Sequence, residues 1–374
     1  MEIIIGADVV PTESNFNLFK SGQVKELLGS NLYNIWRTAD FRIFNLEVPL
    51  TDQKNPIDKN GPNLIAPTQA IKGISALNPD LVTLANNHIL DQGLEGLYST
   101  QRLLKEHDIP SIGAGENINQ ASETYILTHH GISVGIYACA ENEFTIATEM
   151  DPGANPFDPL ESLDHIRKLK DRCDYVIVLY HGGKEHYRYP SPYLQKVCRK
   201  IAQKGADLVV CQHSHCVGAF EKFEGSTIIY GQGNFIFNKY NNEFWNNSIL
   251  IKASFTDKFE VNYIPVFKTD QGIQLAEKKE AEIIISGFLK RSSEILEEGF
   301  VQKNYKSYAK ENLPNYLRRL SGENRWLSGI DRRLLNNLLL KRKYKNDKLL
   351  VIENIIECES HRELILEGLK TVER

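Results

Sequence analysis

The chain has 374 residues, 41% apolar and 25% charged, which suits a soluble protein with one large domain and an appendage. A net charge of −4 provides no global basic field for nucleic acid, and no stretch approaches the roughly 20 apolar residues of a membrane span. "MEIIIGADVV" lacks the positive flank, long apolar core and cleavage site of a signal peptide, and the cysteines are scattered with no C-x-x-C pair, as reduced thiols are. A cytoplasmic protein without a transmembrane segment is expected.

In chain order, the β-branched run "EIIIGAD" predicts a first strand, followed by a helix over 17–37 and a second strand, "FRIFNLEV". A helix over 67–77, the strand "DLVTLAN", a helix over 92–107 and "IPSIGAG" come next. "TYILTHHGISVGIYACA" reads as an antiparallel hairpin, ahead of a helix at 159–171. "DYVIVLYHGG", a helix at 191–204 and "ADLVVCQHSH" then complete a βαβ rhythm with fully buried strands. From about residue 216 the pattern turns to strands alone: "VGAFEKF", "STIIYGQGNFIF", "NSILIKASF" and "EVNYIPVF". The expectation is an α/β fold of stacked sheets with helices outside. Residues 277–374 are charged and helical in period, and 331–348 carry seven Lys/Arg against two Asp. That stretch reads as a solvated or partner-packing helix, with contact to an anionic polymer or membrane surface as the alternative.

Ligands of open α/β sheets gather at the carboxyl ends of strands. The first strand exits through Asp8, the second through Asn45 and Glu47, and the third through Asn86, Asn87, His88 and Asp91. Later exits bring His181 and the pair His213 and His215 in "CQHSHC". Singly, each has a bland reading: a helix cap for Asp8, a salt-bridge partner for Glu47, a turn for "NNH", a core histidine for His181. Five successive strand ends carrying metal-type ligands argue jointly for a metal centre. Two divalent ions about 3.5–4 Å apart need a bridging carboxylate, neutral imidazoles and oxygen donors. A mixed Asp/Glu/Asn/His set without thiolate suits Mn, Fe or Zn better than an all-oxygen Ca or Mg site. A structural zinc knot would recruit Cys211 and Cys216, but no second close Cys/His pair of the usual spacing accompanies them.

These stretches resemble the metallophosphatase (calcineurin-like phosphoesterase) superfamily and, within it, the CapA family of capsule or poly-γ-glutamate synthesis. The residues that carry the resemblance are "GAD" at 6–8, "NLEVPLT" at 45–51, "LANNHILDQG" at 84–93, "HGGKEHYRYP" at 181–190, "GADLVVCQHSH" at 205–215 and "YGQGNFIF" at 230–237. They lie in the family's order across roughly residues 1–270. The resemblance implies an αββα sandwich of two mixed sheets over 1–276, with a helical C-terminal extension at 277–374. It implies Asp8 and His215 as ligands of one metal, Glu47 in the bridging position, and Asn87, His181 and His213 as ligands of a second. His88 would lie off the metals as general acid, oriented by Asp91. Asn45, Asn86, Glu185 and Asn234 fall to substrate or supporting roles.

Three departures matter. Val10 stands where the superfamily has a histidine, Glu47 replaces the bridging aspartate, and Gln212 precedes the histidine pair. The first two leave one metal with fewer protein ligands, so one ion or two is open. The function expected is a metal-dependent phosphoester hydrolase in capsule or surface-polymer biosynthesis, with metal-activated hydroxide as nucleophile. Its substrate would be a phosphorylated or polyanionic envelope precursor, with no nucleic-acid partner. Two alternatives stand beside it: a γ-glutamyl amide hydrolase or transferase of poly-γ-glutamate metabolism, and a non-catalytic metal-binding scaffold reaching a polymer synthase through the C-terminal helices.

Overall fold

The computed structural model describes residues 1–255, 258–322, 325–335 and 337–372. They divide into two compact units, Met1–Val301 and Gln302–Arg374. In the first unit β1 (Glu2–Val10), α1 (Phe16–Ser21), α2 (Val24–Thr38) and β2 (Phe41–Leu46) come first. A 3₁₀ turn then leads into α3 (Ile71–Ala76), β3 (Leu81–Thr83), α4 (Gly93–Glu106), β4 (Ser111–Ile112), β5 (Ala114–Gly115) and α5 (Ile118–Ala121). The hairpin β6 (Tyr125–His129) and β7 (Ile132–Ala140) precedes β8 (Gly153–Ala154), α6 (Ser162–Lys170), β9 (Tyr175–His181), α7 (Pro192–Gln203) and β10 (Leu208–Gln212). The strands β11 (Phe220–Phe223), β12 (Ser226–Ile229), β13 (Asn234–Phe237), β14 (Asn247–Phe255), β15 (Phe259–Lys268) and β16 (Ile273–Leu275) end in α8 (Lys278–Glu294).

Two mixed sheets carry this unit. The first runs β16-β15-β14-β1-β2-β3-β4, with β13 also paired to β1; the second runs β11-β12-β10-β9-β7-β6. Their continuous apolar strands are divided by the pleat, because successive side chains face opposite ways. Along β1, Ile3 and Ile5 enter the core between the sheets, while Ile4, Ala7 and Val9 face the helical layer. Along β9, Ile177 and Leu179 meet them from the other sheet, while Val176, Val178 and Tyr180 face outward. Leu27, Leu28, Leu32 and Trp36 of α2 cover the first sheet, and Val197, Cys198 and Ile201 of α7 cover the second. This is the αββα sandwich expected. Helix α8 adds Ile284 and Phe288 to the inter-sheet core.

Two local expectations differ. The helix expected over 17–37 is two helices, because Gly22 takes a left-handed conformation (φ 68°) and closes α1 with backbone bonds to Leu18 and Phe19. "STIIYGQGNFIF" is two strands in different sheets, β12 pairing with β10 and β13 with β1. Gly233 makes the crossing: its φ is +81°, and a Cβ there would lie 2.5 Å from Ser248 Cβ.

The second unit is helical, with α9 (Phe300–Ser321), α10 (Arg325–Leu334), α11 (Leu338–Lys343), α12 (Asn346–Glu357) and α13 (Glu359–Lys370); of the helical stretch expected over 277–374, α8 and the residues up to Val301 fall in the first unit. Residues 323–324, 336 and 373–374 of the expected extension lie outside the described residues. Buried Asp331 caps α11 by accepting the backbone N–H of Leu339 and Leu340. Among the described residues no helix is long and apolar enough to cross a membrane.

Candidate metal centre

Three site residues lie in register on the first sheet: Asp8 on β1 stands opposite Asn45 on β2 and Asn234 on β13. On the second sheet, His181 at the end of β9 stands opposite Gln212 at the end of β10. The β1–β2 register shifts between Ile5 and Asp8, and Gln212 spans that irregularity from the other sheet. Its Nε2 donates to Gly6 O at 3.1 Å, beside Gln232, whose Nε2 reaches Ile5 O at 3.0 Å. The glutamine that departs from the family pattern therefore ties the two sheets together beside the site.

Beyond β10 the chain must turn both His213 and His215 into one space. Both take left-handed backbone, at φ 80° and 52°, a conformation that costs a non-glycine residue about 1–3 kcal/mol and gathers at functional sites. Their spacing of two, which in a strand would merely repeat one face, is thereby bent so that both converge on the carboxylates.

Two ligand sets result, each with atoms within 4.8 Å of one another: Glu47, His181 and His213, and Asp8, Glu47 and His215. Glu47 is common to both. His181 Nε2 lies 3.2 Å from Glu47 Oε1, 3.2 Å from His213 Nδ1 and 3.1 Å from Asn87 Oδ1. On the other side of the ring, Asn45 Nδ2 lies 3.3 Å from His181 Nδ1 and donates to Asp8 Oδ1 at 2.8 Å. His215 Nδ1 donates to Asn234 Oδ1 at 2.8 Å, and its ring packs against Trp245, tilted by 31° with centroids 4.5 Å apart. Val10 is buried against the helical layer, so the Asp8 set has no fourth protein ligand from that position. Neither set includes a cysteine. Cys211 instead packs in the outer core with its sulfur 3.5 Å from that of Cys198.

The electrostatics follow from burial. Glu47 is fully buried, and neither carboxylate oxygen has a hydrogen-bond partner. Burial pushes it from 4.5 up to about 8, with His88 opposing. Burial and then the Glu47 charge push Asp8 up to about 7. The same desolvation holds His181 and His213 below the usual histidine range and lowers His215 to about 3. Neutral imidazoles beside two buried carboxylates are a donor set suited to divalent cations. The orphaned Glu47 oxygens are the particular sign of fit, since a buried carboxylate without donors is costly unless something cationic meets it.

His88 stands beside these sets. Its Nδ1 lies 2.5 Å from Asp91 Oδ2, and its backbone N–H donates to Asn86 Oδ1. Asn86 is a brace, donating to Asn45 Oδ1 and Leu46 O. Glu185 is exposed yet near enough for its charge to act on Glu47 and His181. Sequence reasoning missed the remaining participants. Lys59 reaches Asp91 from an irregular segment, with its side chain 4% exposed. Asn87 Nδ2 donates to Glu143, Gly183 N–H to Glu141, and Trp245 Nε1 to His186. No strand-end rule marks these loop positions.

Residues 8–239 match the family described as "Bacterial capsule synthesis protein PGA_cap". "Capsule biosynthesis protein CapA" of Bacillus anthracis is 32% identical over 213 residues, covering 54% of this chain and 52% of that protein. "PGA biosynthesis protein CapA" of Bacillus subtilis is 27% identical over 240 residues, covering 62% and 63%. The chain thus spans about half to three fifths of the curated relatives it matches. Among solved structures, a hypothetical protein from Thermus thermophilus aligns with a TM-score of 0.47 at 15% identity, over 72% of this chain and all of that one.

Proposed function

The chain belongs to the bacterial capsule synthesis family PGA_cap, and from that premise we propose that it is a metal-dependent hydrolase of phosphoester type in capsule or surface-polymer biosynthesis. The observation that carries this reading is the pair of ligand sets sharing a buried, hydrogen-bond-orphaned Glu47. Asp8, Glu47 and His215 would hold one divalent ion, and Glu47, His181 and His213 a second, with Asn87 Oδ1 beside the latter. Such ions supply Lewis acidity and a nucleophile at neutral pH.

The chain's own residues do the rest. Asn45 sets the angle of Asp8 and His181 together, and Asn234 sets His215. Asp91 accepts from His88 Nδ1 and so leaves Nε2 as the atom that gives a proton to the departing oxygen. The carboxylates of Glu141, Glu143 and Glu185 also act on the site, so the positive charge that receives an anionic substrate such as a phosphorylated envelope precursor would be that of the divalent ions themselves. The free thiols support a cytoplasmic setting.

Metal content (Mn, Fe, Zn) and turnover of an aryl phosphodiester and monoester, for wild type, His88→Ala and His213→Ala, test the reading. Bound metal with turnover lost in both variants is expected. Bound metal without turnover of either ester would overturn phosphoester hydrolysis and move weight to γ-glutamyl amide chemistry. A second reading, a metal-binding scaffold for a polymer synthase, is favoured by exposed Leu350, Val351, Ile356, Leu364, Leu366 and Leu369 on α12 and α13. It requires that His88→Ala keep cellular function while removal of 302–374 abolishes it.

A further inference from the structure

The segment between β2 and α3 has little regular structure, yet its middle is anchored on Asp91 and Gln92. Ile57 N–H donates to Asp91 O at 3.2 Å, and Asn55 N–H to Gln92 Oε1 at 2.8 Å. Gln92 Nε2 returns a bond to Leu64 O at 2.9 Å, and Leu64 N–H donates to Asp91 Oδ2 at 2.5 Å. Lys59, midway along the segment, turns inward. Its Nζ pairs with Asp91 Oδ1, lies 3.3 Å from His88 Nδ1 and donates to Asn87 O at 3.4 Å.

One carboxylate therefore receives three donors from two sources. Oδ1 takes the Lys59 ammonium, and Oδ2 takes both His88 Nδ1 and the Leu64 amide. Asp91 is fully buried and the Lys59 side chain nearly so. An ammonium in so dry a place is retained by its partners, and a carboxylate deprived of it would turn toward whatever donors remained. The plane of Asp91 fixes where His88 points, and Lys59 with Leu64 fixes that plane.

We propose that Lys59 is a positioning residue: brought in by the segment between β2 and α3, it locks the Asp91 carboxylate so that His88 is aimed across the site, coupling that segment's seating to the imidazole's orientation. Lys59 acts on His88 through Asp91. The geometric part stands without reference to any reaction, whereas its kinetic consequence rests on the hydrolase reading.

The test uses the full chain labelled with ¹⁵N-histidine, as wild type, Lys59→Met and Lys59→Arg, with His88→Ala to assign the His88 Nδ1–H resonance. Lys59→Met is expected to lose or shift that low-field resonance and to speed hydrogen exchange at the Leu64 amide, with β9 amides unchanged. Lys59→Arg, which keeps the charge, is expected to restore both. In the metal-loaded protein Lys59→Met should lower kcat about 10- to 100-fold, the usual effect of removing a partner that orients a site residue, with KM little changed. A Lys59→Met protein whose His88 resonance and Leu64 exchange match wild type would overturn the proposal, whatever its kcat. Loss of the resonance in a protein that turns over no ester would uphold Lys59 and count only against the hydrolase reading.

Discussion

Replacing Glu47 by glutamine isolates the charge on which the candidate centre turns. In the metal-free protein the buried carboxylate is raised from 4.5 to about 8, so the folded state keeps a proton that the unfolded chain has released across that window. Stability present at low pH is therefore lost as pH rises toward 8. At about 1.4 kcal/mol per unit, the raised Glu47 disfavours folding by about 4 kcal/mol at pH 8 and about 1 kcal/mol at pH 5, because the unfolded chain ionises more readily. Asp8, raised to about 7 with Glu47 as its second cause, moves the same way and is partly relieved by the same substitution. Buried His181, His213 and His215, held low, gain stability over the same window in both proteins, so the Glu47 contribution is read as a difference: relative to Glu47→Gln, metal-free wild type should lose about 3 kcal/mol between pH 5 and pH 8, or roughly 6 °C at about 2 °C per kcal/mol for a unit of this size. Metal-free Glu47→Gln lacks that loss and should be the more stable of the two at pH 8. Adding Mn or Zn should reverse that order, because the cation stabilises wild type through linkage and has lost its shared ligand in the variant. Scanning calorimetry at the two pH values, with chelator and with metal, measures all of this. Parallel pH profiles for the two proteins would refute the reasoning, since they would mean that Glu47 is not an uncompensated buried charge.

Three further outcomes follow from the same geometry. Asn45→Ala removes the amide between Asp8 and His181 and should weaken metal binding about 10- to 100-fold by calorimetric titration; unchanged affinity would deny it an orienting role. Trp245→Ala empties the space beside His215, where the indole is 4% exposed; a loss of about 3 kcal/mol is expected in denaturant melts, with the His215-side metal lost first on dialysis. Gly233→Ala meets both a φ of +81° and Ser248 at 2.5 Å, whereas Gly225→Ala, at φ +88°, meets open space. The first should destabilise by at least about 1 kcal/mol more than the second in urea unfolding, and equal values would remove the crossing from the account of Asn234.

Much of the architecture was local information. The apolar runs of β1, β9 and β10 are buried on both faces, so each residue's environment is set by the pleat and is legible from the string. Strand exits then mark Asp8, Asn45, Glu47, Asn87, His88, His181, His213 and His215, because a parallel sheet brings the carboxyl ends of its strands together. The sequence determined these residues and their edge of the sheet. Tertiary structure decided how they meet. The left-handed turns at His213 and His215 depend on the neighbouring sheet, and the split of "STIIYGQGNFIF" depends on Gly233 crossing between sheets. Lys59 and Trp245 lie on irregular segments whose places are set by partners far along the chain, Asp91 for the one and His186 and His215 for the other. No periodicity encodes such contacts: a loop's path is fixed by the hydrogen bonds and burial it finds only once the sheets have formed.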